Sequence, residues 1–251
     1  MRKRPQRAGV PSPRVLCAAG LEPSGRAGLL ADVETVRALG GVPLGVATAL
    51  TAQGKGTFGL VATTARTLRE QVKALRELGR LHAVKFGMLP GPSALYALAE
   101  VLPDTVPWVV DPVVATSKGE MLSRLRPADV FALAGQRSAL TPNVMECAWL
   151  TGESPAQSPG QLAAQGAMLV ERGFGLVVAK GGHLPGRPVD VVCTREGVEL
   201  LHHPRLRRPA SVRGTGCRFA SALAVALARG ESPVGAARQA QQVVVRHVRG
   251  V

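Results

Sequence analysis

The sequence predicts an α/β fold in which helices cover both faces of a mostly parallel β-sheet. Short apolar runs alternate along the chain with segments of helical periodicity, which is the pattern of repeated β-α-β units. The 251 residues are 46% hydrophobic, so the chain can bury a sizeable core and is not predominantly disordered. We see no linker and no internal repeat, and we therefore expect a single domain over residues 15–251.

Seven short apolar runs are the predicted strands, and continuous apolar runs are typical of strands that are buried on both faces. In chain order they are Val15–Ala19, Val42–Thr48, His82–Phe86, Trp108–Val110, Val130–Leu133, Leu176–Lys180 and Val189–Cys193.

Eight segments have the periodicity of helices. In chain order they are Ala27–Leu39, Thr64–Leu78, Pro92–Val101, Met121–Leu125, Val144–Leu150, Gln161–Arg172, Cys217–Ala228 and Pro233–Val248. The last two are predicted to be successive helices, because Gly230 suits a helix C-cap and Pro233 suits the first position of a new helix.

The charge of the chain at first favours a nucleic acid or another polyanion as partner. The formal net charge is +14 and the isoelectric point is near 11.1. Residues 1–14 carry five basic and no acidic residues, and residues 200–251 carry nine Arg and one acidic residue, so the remainder is nearly neutral. Aromatic residues make up only 3% and are not interleaved with the basic ones, so we predict no specific nucleic-acid partner. We expect residues 1–14 to be a disordered basic tail.

The cysteines and the apolar runs limit the cellular context. Four cysteines at scattered spacings form neither a disulfide framework nor a paired CxxC zinc site. No apolar run approaches the roughly 20 residues that span a bilayer, so we predict no membrane association. We expect a cytoplasmic protein.

The motif Gly214-Thr215-Gly216-Cys217 is the clearest local signal of chemistry. Two glycines and a threonine before an apolar helix allow several backbone N–H groups to converge at the positive end of the helix dipole. An ordinary glycine-rich turn at a helix start explains the same residues. A thiol in the first helical turn, between Arg213 and Arg218, is expected to have a lowered pKa and to act as nucleophile or general base.

Three further motifs follow predicted strands. A glycine cluster at residues 20–28 opens the helix that carries Asp32, and it matches neither GxGxxG nor the GxxxxGK[ST] phosphate loop. Asn143 and Glu146 have the spacing of a helix capping box, and the same side chains could hold Mg²⁺. Lys180, followed by Gly181 and Gly182, is placed to meet phosphate.

The four motifs in this order resemble the ribokinase superfamily and, within it, the hydroxymethylpyrimidine/phosphomethylpyrimidine kinases of thiamine biosynthesis. Cysteine after GTG is typical of the pyrimidine kinases, whereas the superfamily usually has Asp. The resemblance implies a ribokinase-like three-layer α/β/α fold and, as a common state, a homodimer. The matching stretches are AGLEPSGRAGLLADVETVRALGG, ATALTAQG, VKFGML, VVDPV, LTPNVMECAWLTG, VVAKGGHLPGRPVDVV and RGTGC.

The resemblance also implies roles for individual residues, with ATP, Mg²⁺ and a small pyrimidine as ligands. Cys217 would take the proton from the acceptor, and the backbone of Gly214, Thr215 and Gly216 would stabilise the transferred phosphoryl group. The other implied residues are Lys180, Gly181 and Gly182 for ATP, Asp111, Asn143 and Glu146 for Mg²⁺, and Gly20, Asp32, Gln53 and Met88 for the pyrimidine.

Two positions depart from the family pattern. Arg26 stands where the family has glycine, so it either adds a contact to a phosphorylated substrate or narrows the pocket. Arg213 ends the stretch that reads Asn-Thr-His in the family. The implied activity is ATP-dependent phosphorylation of 4-amino-5-hydroxymethyl-2-methylpyrimidine, of its monophosphate, or of both. A pyridoxal-type kinase and an inactive pyrimidine-binding relative are the alternatives.

Overall fold

The computed structural model describes residues 12–54, 56–115, 119–182, 184–205 and 212–250. The predicted tail over residues 1–14 therefore lies largely outside the described residues, and Arg14 already belongs to the first strand. The division into a tail and a single domain remains a prediction.

In the described part of the chain, nine strands form one sheet in the order β3-β2-β1-β4-β5-β6-β7-β8-β9. The six central strands are parallel, namely β2, β1, β4, β5, β6 and β7. At the edges, β3 on one side and β8 and β9 on the other run antiparallel to their neighbours. This confirms the predicted mostly parallel α/β sheet. The strands are β1 Arg14–Leu21, β2 Val42–Gln53, β3 Phe58–Ala62, β4 Ala83–Phe86, β5 Trp108–Val110, β6 Ser138–Leu140, β7 Leu176–Lys180, β8 Val189–Thr194 and β9 Gly197–His202.

Helices cover both faces of the sheet, so the architecture has three layers. One core cluster joins the sheet to the second to sixth helices, and the other joins it to the first, seventh and eighth. Alternate residues of β1 enter opposite clusters, Leu16 one and Cys17 the other. The helices are α1 Gly28–Ala38, α2 Ala65–Arg76, α3 Pro92–Val101, α4 Pro127–Phe131, α5 Val144–Thr151, α6 Pro159–Glu171, α7 Thr215–Ala228 and α8 Pro233–Arg249.

Two predicted elements are wrong. Residues 130–133, predicted as a strand, include the end of α4, because Pro127 opens a short helix whose Asp129 carboxylate accepts a hydrogen bond from the Arg126 amide at 2.9 Å. Residues 121–125, predicted as a helix, instead follow an extended path. Met121 forms an isolated antiparallel bridge, and the next two amides both donate to the Val114 carbonyl.

Three strands were not predicted from the sequence. β6 is only three residues long, and β9 is largely exposed and carries no apolar run. β3 is an edge strand with a glycine at its second position. No helix in the described residues combines the length and the apolar character needed to cross a membrane.

The strand order locates the ligand-binding edge of the sheet. β1 lies between β2 and β4, so successive crossovers leave it in opposite directions. In open α/β sheets, ligands bind at the carboxyl ends of the strands beside such a switch point.

Candidate active site

A cavity opens at this edge of the sheet, against the start of α7. It brings together side chains that follow β1, β2, β4, β5, β6 and β7, which are far apart in the sequence. Predicted site residues that line the cavity are Gly20, Gln53, Met88, Asp111, Asn143, Glu146, Lys180, Gly214, Thr215, Gly216 and Cys217.

The GTGC motif forms the N-terminus of α7, as predicted. Gly214 is the residue before the helix and has φ +74°, and a side chain there would also collide with the carbonyl oxygen of Arg26. A Cβ atom on Gly216 would lie 3.4 Å from Lys180 Nζ and 3.6 Å from Asp111 Oδ2. The amides at the start of α7 therefore meet the lysine and the carboxylate at one place, where a phosphoryl group could be held.

The predicted low pKa of Cys217 is wrong. Burial raises the pKa of the thiol to about 11, although the charge of Lys85 opposes this rise. The two flanking arginines form their side-chain contacts with other residues. Arg218 pairs with Glu34 at 2.6 Å, and Arg213 donates to a glutamine.

Lys85, which the sequence analysis did not single out, lies beneath the cavity. Its Nζ atom is 2.7 Å from Asp32 Oδ2, and neither side chain is exposed. Asp32 Oδ1 accepts a hydrogen bond from Ser221 at 2.9 Å, one helical turn after Cys217 on α7. Burial alone would lower the pKa of Lys85, but the negative charge of Asp32 outweighs it, and the pKa is raised.

The family resemblance assigns Asp32 to the pyrimidine substrate. The carboxylate has no exposed surface, does not line the cavity and is already engaged by Lys85 and Ser221. Asp32 therefore lies outside the cavity wall, and its contact with the substrate remains a prediction. A lysine within the apolar strand of residues 83–86 was the sequence signal that a buried partner had to exist.

Lys180 and Asp111 form the second ion pair of the site. Lys180 Nζ lies 3.0 Å from Asp111 Oδ1, which also accepts a hydrogen bond from Thr141 Oγ1 at 3.2 Å. Burial would lower the pKa of Lys180, but the carboxylates of Asp111 and Glu146 raise it overall. The lysine is therefore charged and positioned beside the N-terminus of α7.

Asn143 and Glu146 form the capping box that opens α5. The Glu146 amide donates to Asn143 Oδ1 at 2.9 Å, and the Asn143 amide donates to Glu146 Oε2 at 2.8 Å. Burial raises the pKa of Glu146 to about 7. The two side chains thus have a structural role and also line the cavity.

The residues predicted to hold Mg²⁺ have suitable donor chemistry. Asp111 Oδ2 and Glu146 Oε1 accept no hydrogen bond from the described residues. The described part of the chain contains no group of three or more His, Cys, Asp and Glu side chains that could hold a metal. Mg²⁺ in phosphoryl-transfer sites usually takes one or two carboxylates and completes its shell with phosphate and water, so two carboxylates fit it.

The opposite wall of the cavity holds the predicted pyrimidine residues. A Cβ atom on Gly20 would collide with the methyl group of Met88. Glycine at position 20 therefore leaves room for the Met88 side chain on this wall, and we call the surface formed by Gly20 and Met88 the floor of the cavity. Thr48 fixes the loop by donating to the Met88 carbonyl at 2.7 Å. Gln53 accepts a hydrogen bond from Arg213 at 2.7 Å across this wall. Lining residues that the sequence analysis did not assign to the site include Glu22, Thr51, Lys85, Val113, Leu122 and Arg213.

Three other residues predicted to act at or near the site lie outside the cavity wall. A Cβ atom on Gly181 would collide with the Val189 carbonyl, whereas one on Gly182 would meet no atom of the described residues within 4 Å. Their contact with ATP remains a prediction. Arg26 is exposed, its Nε atom lies 3.4 Å from Ser24 Oγ, and it does not narrow the cavity.

Comparison with known proteins identifies the family of the chain. The profile of the phosphomethylpyrimidine kinase family matches residues 22–250. The hydroxymethylpyrimidine/phosphomethylpyrimidine kinase of Streptomyces coelicolor is 35% identical over 249 residues, covering 94% of this chain and 88% of that protein.

Solved structures share the fold over nearly the whole chain. The phosphomethylpyrimidine kinase of Clostridium difficile has a TM-score of 0.75 at 26% identity, covering 94% of this chain and 98% of that one. An ADP complex of Bacillus subtilis pyridoxal kinase has a TM-score of 0.81 at 25% identity, covering 92% and 90%. The ribokinase-like architecture is thereby confirmed, and the chain belongs to the phosphomethylpyrimidine kinase family.

Proposed function

We propose that this chain transfers the γ-phosphoryl group of ATP to 4-amino-5-hydroxymethyl-2-methylpyrimidine and to its monophosphate. The observation that carries the proposal is the convergence of Cys217, Lys180 and Asp111 on the N-terminus of α7 within one cavity. Family membership supports the same chemistry.

The geometry suggests how the residues divide the work. The amides at the start of α7 and the ammonium of Lys180 stabilise the charge that spreads over the oxygens of the transferred phosphoryl group. Asp111 and Glu146 would hold Mg²⁺, with Asn143 beside them, and the ion would neutralise phosphate charge. Gly20 and Met88 form the floor on which the ring of the acceptor is placed.

Cys217 would accept the proton of the acceptor. With a pKa of about 11, most of the thiol is protonated at neutral pH, so the base form is scarce but strong. Lys85 lies close enough to lower the cost of the thiolate. The ion pair with Asp32 holds the ammonium group of Lys85 in place, and neither side chain is exposed to water.

The proposal is tested by measuring ADP release with each pyrimidine as acceptor, in ATP and Mg²⁺. We expect turnover with at least one of them. Folded protein that binds a pyrimidine without turnover would instead be the inactive relative. The same assay on Cys217→Ala should show a loss of about 10²- to 10⁴-fold in kcat with nucleotide binding retained. Full activity of that variant would remove Cys217 from the role of base.

Pyridoxal is the second candidate acceptor, because the pyridoxal kinase structure shares the fold as closely as the pyrimidine kinase does. The two rings differ in their hydrogen-bonding edges, so a comparison of kcat/KM for pyridoxal and for the pyrimidine discriminates the two functions. We expect the pyrimidine to be preferred, and a preference for pyridoxal would reverse the assignment.

We also propose that two copies pair through the edge formed by β2 and β3. Leu50, Phe58 and Val61 are 54%, 44% and 69% exposed, and β3 leaves one side of the described sheet unpaired. Exposed apolar residues on an edge strand favour pairing with a second chain. Light scattering after size-exclusion chromatography should give a dimer for the parent chain and a monomer for Val61→Glu. A monomeric parent chain would refute the pairing.

A further inference from the structure

Arg213 provides the cavity with a positive charge that no carboxylate of the described residues pairs with. Three cationic side chains of the described residues line the cavity. Lys85 is paired with Asp32 and Lys180 with Asp111, at 2.7 Å and 3.0 Å. Arg213 forms no ion pair with a described residue, and its side chain donates only to the neutral Gln53 amide. The half-buried guanidinium therefore has capacity for an anion.

The contact with Gln53 places this charge on the pyrimidine side of the cavity. A guanidinium group can only donate, so the Oε1 atom of Gln53 must face Arg213 at 2.7 Å. The Nε2 atom of Gln53 then points to Thr51 Oγ1 at 3.4 Å. Gln53 and Thr51 both lie on β2, which pairs with β1, the strand that holds Gly20, and not with β7, the strand that holds Lys180.

The backbone of Arg213 is held from the other direction. The Nε2 atom of His247 on α8 lies 3.0 Å from the Arg213 carbonyl, and because a carbonyl only accepts, this nitrogen donates. The side chain thus extends from a fixed point just before Gly214, next to the position where a phosphoryl group would be transferred. A guanidinium group forms two parallel hydrogen bonds with a phosphate more readily than an ammonium does.

We infer that Arg213 is a specificity-determining residue that binds the phosphate of a phosphorylated pyrimidine, so that the monophosphate is preferred to the free alcohol as acceptor. The inference rests on the proposed function and names the substrate form that this cavity favours. Among the described residues the Arg213 side chain donates only to Gln53, so guanidinium N–H groups are left for the phosphate.

The test compares kcat/KM for the two acceptors in the parent chain, Arg213→Gln and Arg213→Lys. We expect Arg213→Gln to lower kcat/KM for the monophosphate about 10- to 100-fold, mainly through KM, and for the alcohol less than about threefold. Arg213→Lys should restore part of the loss. Arg66→Gln is the control, because Arg66 lies on α2 with its side chain 88% exposed and outside the cavity, and both values should stay unchanged.

Equal losses for both acceptors would overturn the inference while leaving the proposed function intact. Absence of turnover with either acceptor in the parent chain would overturn the proposed function instead. In that case, binding of the monophosphate without ATP, measured by calorimetry, still decides the inference. Weaker binding to Arg213→Gln than to the parent chain supports the role of Arg213, and equal binding refutes it.

Discussion

The Nζ atom of Lys85 lies 2.7 Å from Asp32 Oδ2, with neither side chain exposed to solvent. This pair joins β4 to α1, and Ser221 extends it to α7, the helix that carries Cys217. A Cβ atom on Gly87 would lie 2.5 Å from Lys85 Nζ, so glycine is needed where the chain passes the lysine. The pair therefore positions three elements around the site. Its lysine favours the thiolate of Cys217, and its aspartate opposes it.

Breaking this pair on one side should strongly destabilise the fold. Lys85→Met and Asp32→Asn should each lower the free energy of unfolding by about 3–5 kcal/mol, because each leaves one buried charge without its partner. The double variant Lys85→Met/Asp32→Asn should lose less than the sum of the two, since no buried charge remains. Urea denaturation of the four proteins measures these differences.

An exposed ion pair provides the control for that experiment. Arg66 and Glu70 are 2.8 Å apart on α2, with side chains 88% and 60% exposed. Arg66→Met should change the free energy of unfolding by less than about 1 kcal/mol. Additive losses in the Lys85 and Asp32 variants would show that the two side chains act independently.

The thiol of Cys217 should react slowly at neutral pH and faster as the pH rises. Its pKa of about 11 means that the thiolate fraction increases about tenfold for each pH unit well below that value. Alkylation by iodoacetamide, followed by mass spectrometry from pH 7 to 10, should show this slope at Cys217. The other three cysteines are buried and should remain unlabelled in the folded protein. A rate that levels off near pH 8 would contradict the raised pKa.

Local patterns were sufficient to predict most of the fold and part of the site. The apolar runs predicted the strands from β1 to β8 except β3 and β6, and β6 has only three residues to carry a signal. The GTGC motif was predictable because its glycines, its cysteine and the helix that follows are neighbours in the chain.

Pairings between distant residues could not be predicted in this way. Lys85 and Asp32 are 53 residues apart, and Arg213 and Gln53 are 160 apart, so no spacing rule connects them. The low pKa expected for Cys217 assumed that the adjacent arginines face the thiol. In the folded chain Arg218 turns to Glu34 instead, and burial then dominates the pKa of the cysteine.

Gly216→Ala should impair catalysis more than it affects the fold. The added methyl group would lie 3.4 Å from Lys180 Nζ and 3.6 Å from Asp111 Oδ2, inside the space that a phosphoryl group would occupy. We expect kcat to fall about 10²-fold or more, as when one donor to a developing charge is lost. Gly160→Ala at the start of α6 is the control, because Gly160 lies outside the cavity and a methyl group there would come no closer than 4.0 Å to Ser158 Oγ. Similar losses of kcat in both variants would show that Gly216 has no specific role at the phosphoryl site.

Glu146 should make the stability of the fold depend on pH. Burial raises its pKa from 4.5 to about 7, so the folded chain binds this proton more tightly than the unfolded chain does. The stability that this proton contributes is complete below about pH 4.5 and is lost as the pH rises through 7. The loss is at most about 3 kcal/mol, because the partly exposed carboxylate keeps some contact with water.

Glu146→Gln isolates this contribution, since the amide oxygen can still accept the hydrogen bond from Asn143. Between pH 5 and pH 8, the parent chain should lose more stability in urea than the variant does. Added Mg²⁺ with a non-hydrolysable ATP analogue should offset the extra loss at pH 8 in the parent chain, because a bound cation favours the carboxylate over the acid. The variant should gain less from the same addition. Identical pH profiles for the two proteins would show that the carboxylate of Glu146 is not held in a buried environment.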